Sequence, residues 1–186
     1  VIDRYGNAVS VTYTLNSYFG AGVIAGDTGF FLNDEMDDFS TKPGSANQFG
    51  LVQGKANEIA GGKRPLSSMT PTIVMKNQKV FLVLGSPGGP RIITSVLETL
   101  LNVIDYQMTI QAAVNAPRFH HQWLPDRIDT EPKTFSAETI KQLIAMGYEV
   151  NPMETTWSAV EAILINPDTG IVSGANDIRR PSGKAA

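Results

Sequence analysis

Thr72-Ile73-Val74-Met75-Lys76-Asn77-Gln78-Lys79-Val80-Phe81-Leu82-Val83-Leu84-Gly85-Ser86-Pro87-Gly88-Gly89-Pro90 is the stretch with the strongest local structural signals in the chain. Two short apolar runs, 72–75 and 80–84, flank a polar Lys-Asn-Gln-Lys, the pattern of a β-hairpin. The Gly- and Pro-rich segment 85–90 stops the second strand. Beyond it Ile93, Val96, Leu97, Leu100, Leu101 and Ile104 recur at three- and four-residue steps. That spacing predicts an amphipathic helix whose apolar stripe is made of those six residues. Downstream, residues 109–115 read as a shorter helix ended before Pro117. Ser136 is placed to cap a third helix that stops at Gly147. Residues 160–165 and 171–175 read as strands around Asn166-Pro167-Asp168-Thr169-Gly170.

Upstream, Asp3-Arg4-Tyr5-Gly6-Asn7 reads as a tight turn. Residues 8–16 then alternate, with Val9, Val11, Tyr13 and Leu15 on one face, which predicts a strand. The arm before this turn has only Val1 and Ile2, and the first residue is not Met. The expectation is a chain that starts inside a strand, with partner residues upstream. Hairpins at both ends and helices between them predict antiparallel sheet with packed helices, not a doubly wound parallel sheet.

At 186 residues, 42% hydrophobic and 18% charged, the chain is long enough for a single domain, residues 1–186, with a real core. A net charge of −3 leaves no basic surplus for a phosphate backbone, so nucleic acid is not an expected partner. The apolar runs are too short to span a bilayer. Cysteine is absent, which excludes disulfides, zinc–thiolate sites, Fe–S clusters and a Cys nucleophile.

Four features bear on chemistry. Gly20-x-Gly22-x-x-x-Gly26 has one residue too many for a dinucleotide fingerprint and does not open a helix, so it reads as a flexible connection. Gly85-Ser86-Pro87-Gly88-Gly89 lies between a strand and a strong helix. Its backbone N–H groups suit an oxyanion or a carboxylate, and a plain strand–helix turn explains the same residues. Glu35, Asp37 and Asp38 lie close enough to hold a substrate amine or a metal, or to do acid–base work; a solvated acidic turn is the alternative. Ser67-Ser68, between Pro65 and Pro71, can hold a carboxylate or be turn chemistry. His120-His121 would point opposite ways in a strand and make a poor metal pair. No Ser, Thr or Cys has an evident base, so no activated nucleophile is visible.

Several stretches together resemble a known family. They are residues 33–39, Lys63-Arg64-Pro65-Leu66-Ser67-Ser68-Met69-Thr70-Pro71-Thr72-Ile73, Gly85-Ser86-Pro87-Gly88-Gly89, Tyr13-Thr14-Leu15-Asn16, and Ala116-Pro117-Arg118-Phe119-His120-His121-Gln122-Trp123-Leu124-Pro125. They are similar to the small subunit of the gamma-glutamyltransferase (gamma-glutamyltranspeptidase) family, bacterial type, and the likeness runs from Val1 to about Arg179. The resemblance implies an N-terminal nucleophile hydrolase of α/β (α+β) class. Its fold would be a four-layer αββα sandwich with largely antiparallel sheets, completed by a large subunit cut from the same precursor.

The resemblance also implies a γ-glutamyl-enzyme intermediate formed on an N-terminal Thr that this sequence lacks. Thr14 would hydrogen-bond that nucleophile, and Gly88 and Gly89 would bind the oxyanion. Ser67 and Ser68 would hold the donor's α-carboxylate, and Asn16, Glu35 and Asp38 its α-ammonium. Residues 41–54 would form a lid, with Phe49 where some relatives have Tyr. The substrates implied are glutathione with water, amino acids or peptides as acceptors; no metal or cofactor is implied, and the location is periplasmic or secreted. A catalytically dead chain, and a related acylase or γ-polyglutamate hydrolase, are the rival readings.

Overall fold

The computed structural model describes residues 1–181, 183 and 185. It divides into two compact units. The first comprises Val1–Thr12, Met69–His121 and the chain from Asp126 onward; the second comprises Tyr13–Ser68 and Gln122–Pro125.

In the first unit, β1 (Thr72–Lys76) and β2 (Lys79–Gly85) form the expected hairpin. Its two-residue loop, Asn77-Gln78, takes φ of 51° and 63°. Two successive left-handed residues match the right-handed twist of the flanking strands. α1 (Arg91–Ile104) follows, then α2 (Ile110–Asn115), whose Thr109 side chain accepts from Ala112 N. β6 (Glu161–Ile165) and β7 (Val172–Ala175) complete an antiparallel sheet of order β1-β2-β6-β7. A smaller sheet joins β3 (Phe119–His120) antiparallel to β4 (Ile128–Thr130), and β4 parallel to β5 (Val150–Pro152). The parallel pair needs a crossover, and α3 (Ala137–Ala145) supplies it. Ser136 Oγ caps α3 by accepting from Thr139 N, and Gly147 follows it at φ 97°. The mixed α/β composition and mainly antiparallel pairing agree with the sequence.

The core gathers Leu82 and Leu84 of β2, Ile92, Val96 and Val103 of α1, Ile110, Ala113 and Val114 of α2, and Val160, Ala162 and Ala175. Each of the larger side chains contributes about 1.5–3 kcal/mol by leaving water. Here the expected stripe of α1 is corrected. The helix buries Ile92, Ser95, Val96, Thr99 and Val103, whereas Ile93, Leu97, Leu101 and Ile104 are 49, 49, 37 and 44% exposed. α1 is apolar on two faces, and the one with the smaller side chains lies against the sheet. Thr99 Oγ1 makes that burial tolerable by donating to Ser95 O at 2.8 Å.

A second correction concerns residues 8–16. The turn after Asp3 forms, with Val1 and Val9 exchanging backbone hydrogen bonds and Ile2 bridging Ala8. Beyond Ala8 the chain is assigned to no strand. Val9, Val11 and Tyr13 are exposed. The polar face is the one that finds the fold: Ser10 Oγ donates to Leu84 O at 2.8 Å.

Next to the small sheet in the chain, where Arg118 precedes β3 and Glu131 follows β4, lies a buried ionic cluster. Arg118 pairs with Asp177 at 2.7 Å, Arg179 reaches Asp177 at 3.0 Å, and Arg179 also pairs with Glu131. Backbone groups close it, with Arg118 N and Trp157 N donating to Glu131 and Val160 N to Asp177.

The second unit has no α-helix and no multi-residue strand among its described residues. It is built of turns, including the short helical turns Gly26–Thr28, Glu35–Asp38 and Lys55–Asn57. The segment read as a flexible Gly connection is part of a small hairpin, with Ile24 bridging Phe31. A side chain at Gly20 (φ 54°) would meet Leu32 O at 2.0 Å, so the glycine is required there.

Candidate functional site

The acidic turn is the most organised feature of the second unit. Asn33 Oδ1 accepts from Glu35 N and starts the turn Glu35–Asp38. Phe39 and Ser40, both buried, anchor its far end. Asp38 O accepts from Asn57 Nδ2 at 2.6 Å and Gln53 Nε2 at 3.4 Å. The carboxyls of Glu35 and Asp38 share a hydrogen bond. Burial, that bond and the charges of Asp38 and Asp34 push Glu35 up to about 7. Burial raises Asp38 too, with help from Asp37 and Asp34, while the bond from Glu35 opposes the rise. Two neighbouring carboxyls whose ionisation is held back by burial and by each other suit a ligand cation that would favour their charged form.

Asn16 stands at this turn. Its φ is 75°, its N–H donates to Thr14 Oγ1 at 2.8 Å, and its Nδ2 reaches Asp34 O at 3.2 Å. Thr14, Asn16, Glu35 and Asp38 are thus linked within one unit. Phe49 sits at the tip of the 41–54 segment, its carbonyl held by Gln122 Nε2 at 3.1 Å. Ser67 is exposed and Ser68 half-buried, in a stretch without regular structure.

Gly88 and Gly89 belong to the other unit, between the end of β2 and the start of α1. Gly88 has φ 145° and Gly89 φ 56°. Their carbonyls accept from Arg91 N and Ile92 N, so they form the entry to the helix. The positive end of α1 faces this turn, which favours negative charge there. A side chain at Gly88 would meet Ser158 Oγ at 2.2 Å.

The segment 157–159, which the sequence did not single out, braces this loop. Arg91 stacks on the Trp157 ring at 4.7 Å. Ser86 Oγ donates to Pro87 O and accepts from Ala159 N. Trp157 in turn is tied to Glu131 and Arg118 through its backbone. Nothing in the spacing announced these partners, which lie 26–73 positions away along the chain. Asp34, Ser17 and Gln48 are a second group that the sequence left without a role. Burial opposes its ionisation, but hydrogen bonds from Ser17 and Gln48 hold Asp34 below its ordinary value.

His120 is buried with Nδ1 2.9 Å from Thr94 Oγ1, and His121 Nε2 lies 3.0 Å from Asp126. Among the described residues no group of three or more His, Cys, Asp or Glu could hold a metal ion, and no helix is long and apolar enough to cross a membrane.

One unit therefore offers a glycine turn suited to negative charge, and the other a paired-acid turn suited to positive charge. This is a mixed α/β protein. The gamma-glutamyltranspeptidase family profile matches residues 1–186, and the chain belongs to that family. It is 54% identical over 179 residues to a glutathione hydrolase proenzyme of Escherichia coli (strain K12), covering 96% of this chain and 30% of that protein. It is 50% identical over 193 residues to one from Pseudomonas sp. (strain A14), covering 100% of this chain and 33% of that protein. The chain thus spans about a third of the length of these relatives. A gamma-glutamyltranspeptidase T380A mutant of Helicobacter pylori superposes with a TM-score of 0.92 at 53% identity, over 97% of both chains. The transpeptidase CapD of Bacillus anthracis does so at 0.74 and 27% identity, over 100% of this chain and 96% of that one.

Proposed function

We propose that this chain is the small subunit of a γ-glutamyl acyl-transfer enzyme. It would take the γ-glutamyl group from glutathione or a related donor and pass it to water, an amino acid or a peptide. The observation that supports this most is the Glu35–Asp38 pair, with Asn16 beside it. Two neighbouring carboxyls that gain from a nearby cation are well matched to an α-ammonium, and the relatives bear the name glutathione hydrolase. Ser67 and Ser68 take the α-carboxylate.

The reacting Thr lies outside residues 1–186, with Thr14 as its hydrogen-bond partner. Its hydroxyl attacks the γ-carbonyl and gives its proton to its own α-amine. The N–H groups of Gly88 and Gly89 stabilise the oxygen that becomes negative. The C–N bond breaks, and the amine leaves with that proton. Water or an acceptor amine then attacks the γ-glutamyl ester and frees the Thr. No step calls for a metal or cofactor.

The partner is the large subunit of the same precursor. The uncovered apolar face of α1 at Ile93, Leu97, Leu101 and Ile104 supports it, because exposed apolar patches of this kind mark interfaces. The αββα layering and a periplasmic or secreted location belong to the same proposal. The test is Asp38→Ala in the mature two-subunit enzyme, with release of p-nitroaniline from its γ-glutamyl derivative as the readout. Donor saturation is expected to be lost; an unchanged donor KM overturns the clamp.

A further inference from the structure

The segment 41–54 has a tip that folds on itself. Asn47 Oδ1 accepts from Phe49 N and Leu51 N, both at 3.0 Å, Gly50 N donates to Asn47 O, and Ala46 bridges Val52. A self-contained tip moves as one piece, so its position depends on what ties it down. On one side Gln122 holds the Phe49 carbonyl. On the other, Gln48 reaches the acidic turn. Its N–H donates to Asp37 Oδ2 at 3.2 Å, and its Nε2 lies 3.5 Å from Asp34 Oδ2. The Ser17 hydroxyl stands 3.1 Å from Gln48 Oε1 and 2.5 Å from Asp34 Oδ2. Asn47 and Gln53 touch the turn only through its carbonyls. Gln48 is the tip residue whose side chain reaches a carboxylate of the turn. Asp34, which receives it, also presents its carbonyl to Asn16 Nδ2.

We propose that Gln48 is a positioning residue that latches the tip of this loop onto the acidic turn through Asp34 and Ser17. The latch sets how long a donor stays in the clamp. The inference rests on reading Asn16, Glu35 and Asp38 as that clamp. Gln48 is exposed and its own N–H bond to Asp37 survives substitution, so its replacement leaves the fold in place. Each hydrogen bond lost here is of the size that shifts an opening equilibrium several-fold.

The test compares the mature protein, made from its whole precursor, with its Gln48→Ala and Gln48→Glu variants. Amide hydrogen exchange across 46–52 is measured first without ligand, and then the Kd of L-glutamate. Gln48→Ala is expected to speed exchange in that segment about fivefold, leave β1 and β2 unchanged, and weaken glutamate by a similar factor. Gln48→Glu, which sets a carboxylate against Asp34, is expected to exceed both effects. Faster exchange with an unchanged Kd overturns the coupling, and a weaker Kd with unchanged exchange overturns the latch. A wild-type protein that does not bind glutamate overturns the proposed function, while the ligand-free exchange still decides the latch.

Discussion

Replacing Glu98 by Gln should stabilise the protein increasingly as pH rises. Glu98 lies on α1, with Oε1 accepting from Phe119 N at 3.2 Å and Oε2 buried without a hydrogen-bond partner. Burial, with the Glu131 charge, pushes its carboxyl from 4.5 to about 8, although the Phe119 N–H, Arg118 and Arg179 pull the other way. The folded chain therefore holds a proton that the unfolded chain has released above about 4.5. The stability linked to that proton is full below pH 4.5 and is lost as pH rises to about 8. At about 1.36 kcal/mol per pKa unit, the gap between 4.5 and about 8 amounts to roughly 5 kcal/mol, and near pH 7 about 3 kcal/mol has already gone. The amide that replaces the carboxyl carries no such charge at any pH. Denaturant or thermal unfolding of both proteins at pH 5, 7 and 9 should show the variant gaining steadily on the wild type. A difference that is the same at all three pH values would refute the argument.

Two further predictions concern the clamp and the buried ions. The affinity for a γ-glutamyl donor should improve as pH rises through about 7, because the ionised form of Glu35 is the one that holds an ammonium. Glu35→Gln should flatten that profile of KM, and a profile unaltered by the substitution counts against the assignment. Asp177→Ala should cost about 3–5 kcal/mol in unfolding free energy, since it leaves Arg118 buried at 2% side-chain exposure without its partner; a loss below 1 kcal/mol would show that the cluster relaxes.

Local chemistry made much of the fold legible. Asn77-Gln78 between apolar runs announced its hairpin, Ser136 and Gly147 the ends of α3, and Thr109 and Pro117 those of α2, because turns and caps are decided within a few residues. α1 was legible as a helix but not in orientation. Periodicity reports that a face is apolar, and a helix with two such faces needs its neighbours to say which one the sheet takes. Residues 9–16 alternate as a strand does, yet a strand also needs a ladder partner, and none of the described residues supplies one. In the candidate site, Glu35, Asp38 and the Gly88-Gly89 turn stood out by type and position. Asp34, Gln48 and the Trp157-Ser158-Ala159 brace did not, because their significance lies in distant partners.

The buried ionic cluster of Arg118, Glu131, Asp177 and Arg179 ties the completion of the first unit to the arrival of Asp177. The ribosome delivers Gly85 at the end of β2 and Asp177 after β7 on the order of ten seconds apart, at about 5–20 residues per second. Until Ile165 is made β2 lacks the full β6 edge it pairs with, and until Asp177 is made Arg118 has no counter-charge there. The first unit therefore has no stable half-finished form. A nascent chain stopped short of β6 keeps an open sheet, and one stopped between β7 and Asp177 still keeps a desolvated guanidinium, so truncated products should go to proteolysis instead of accumulating as partial domains.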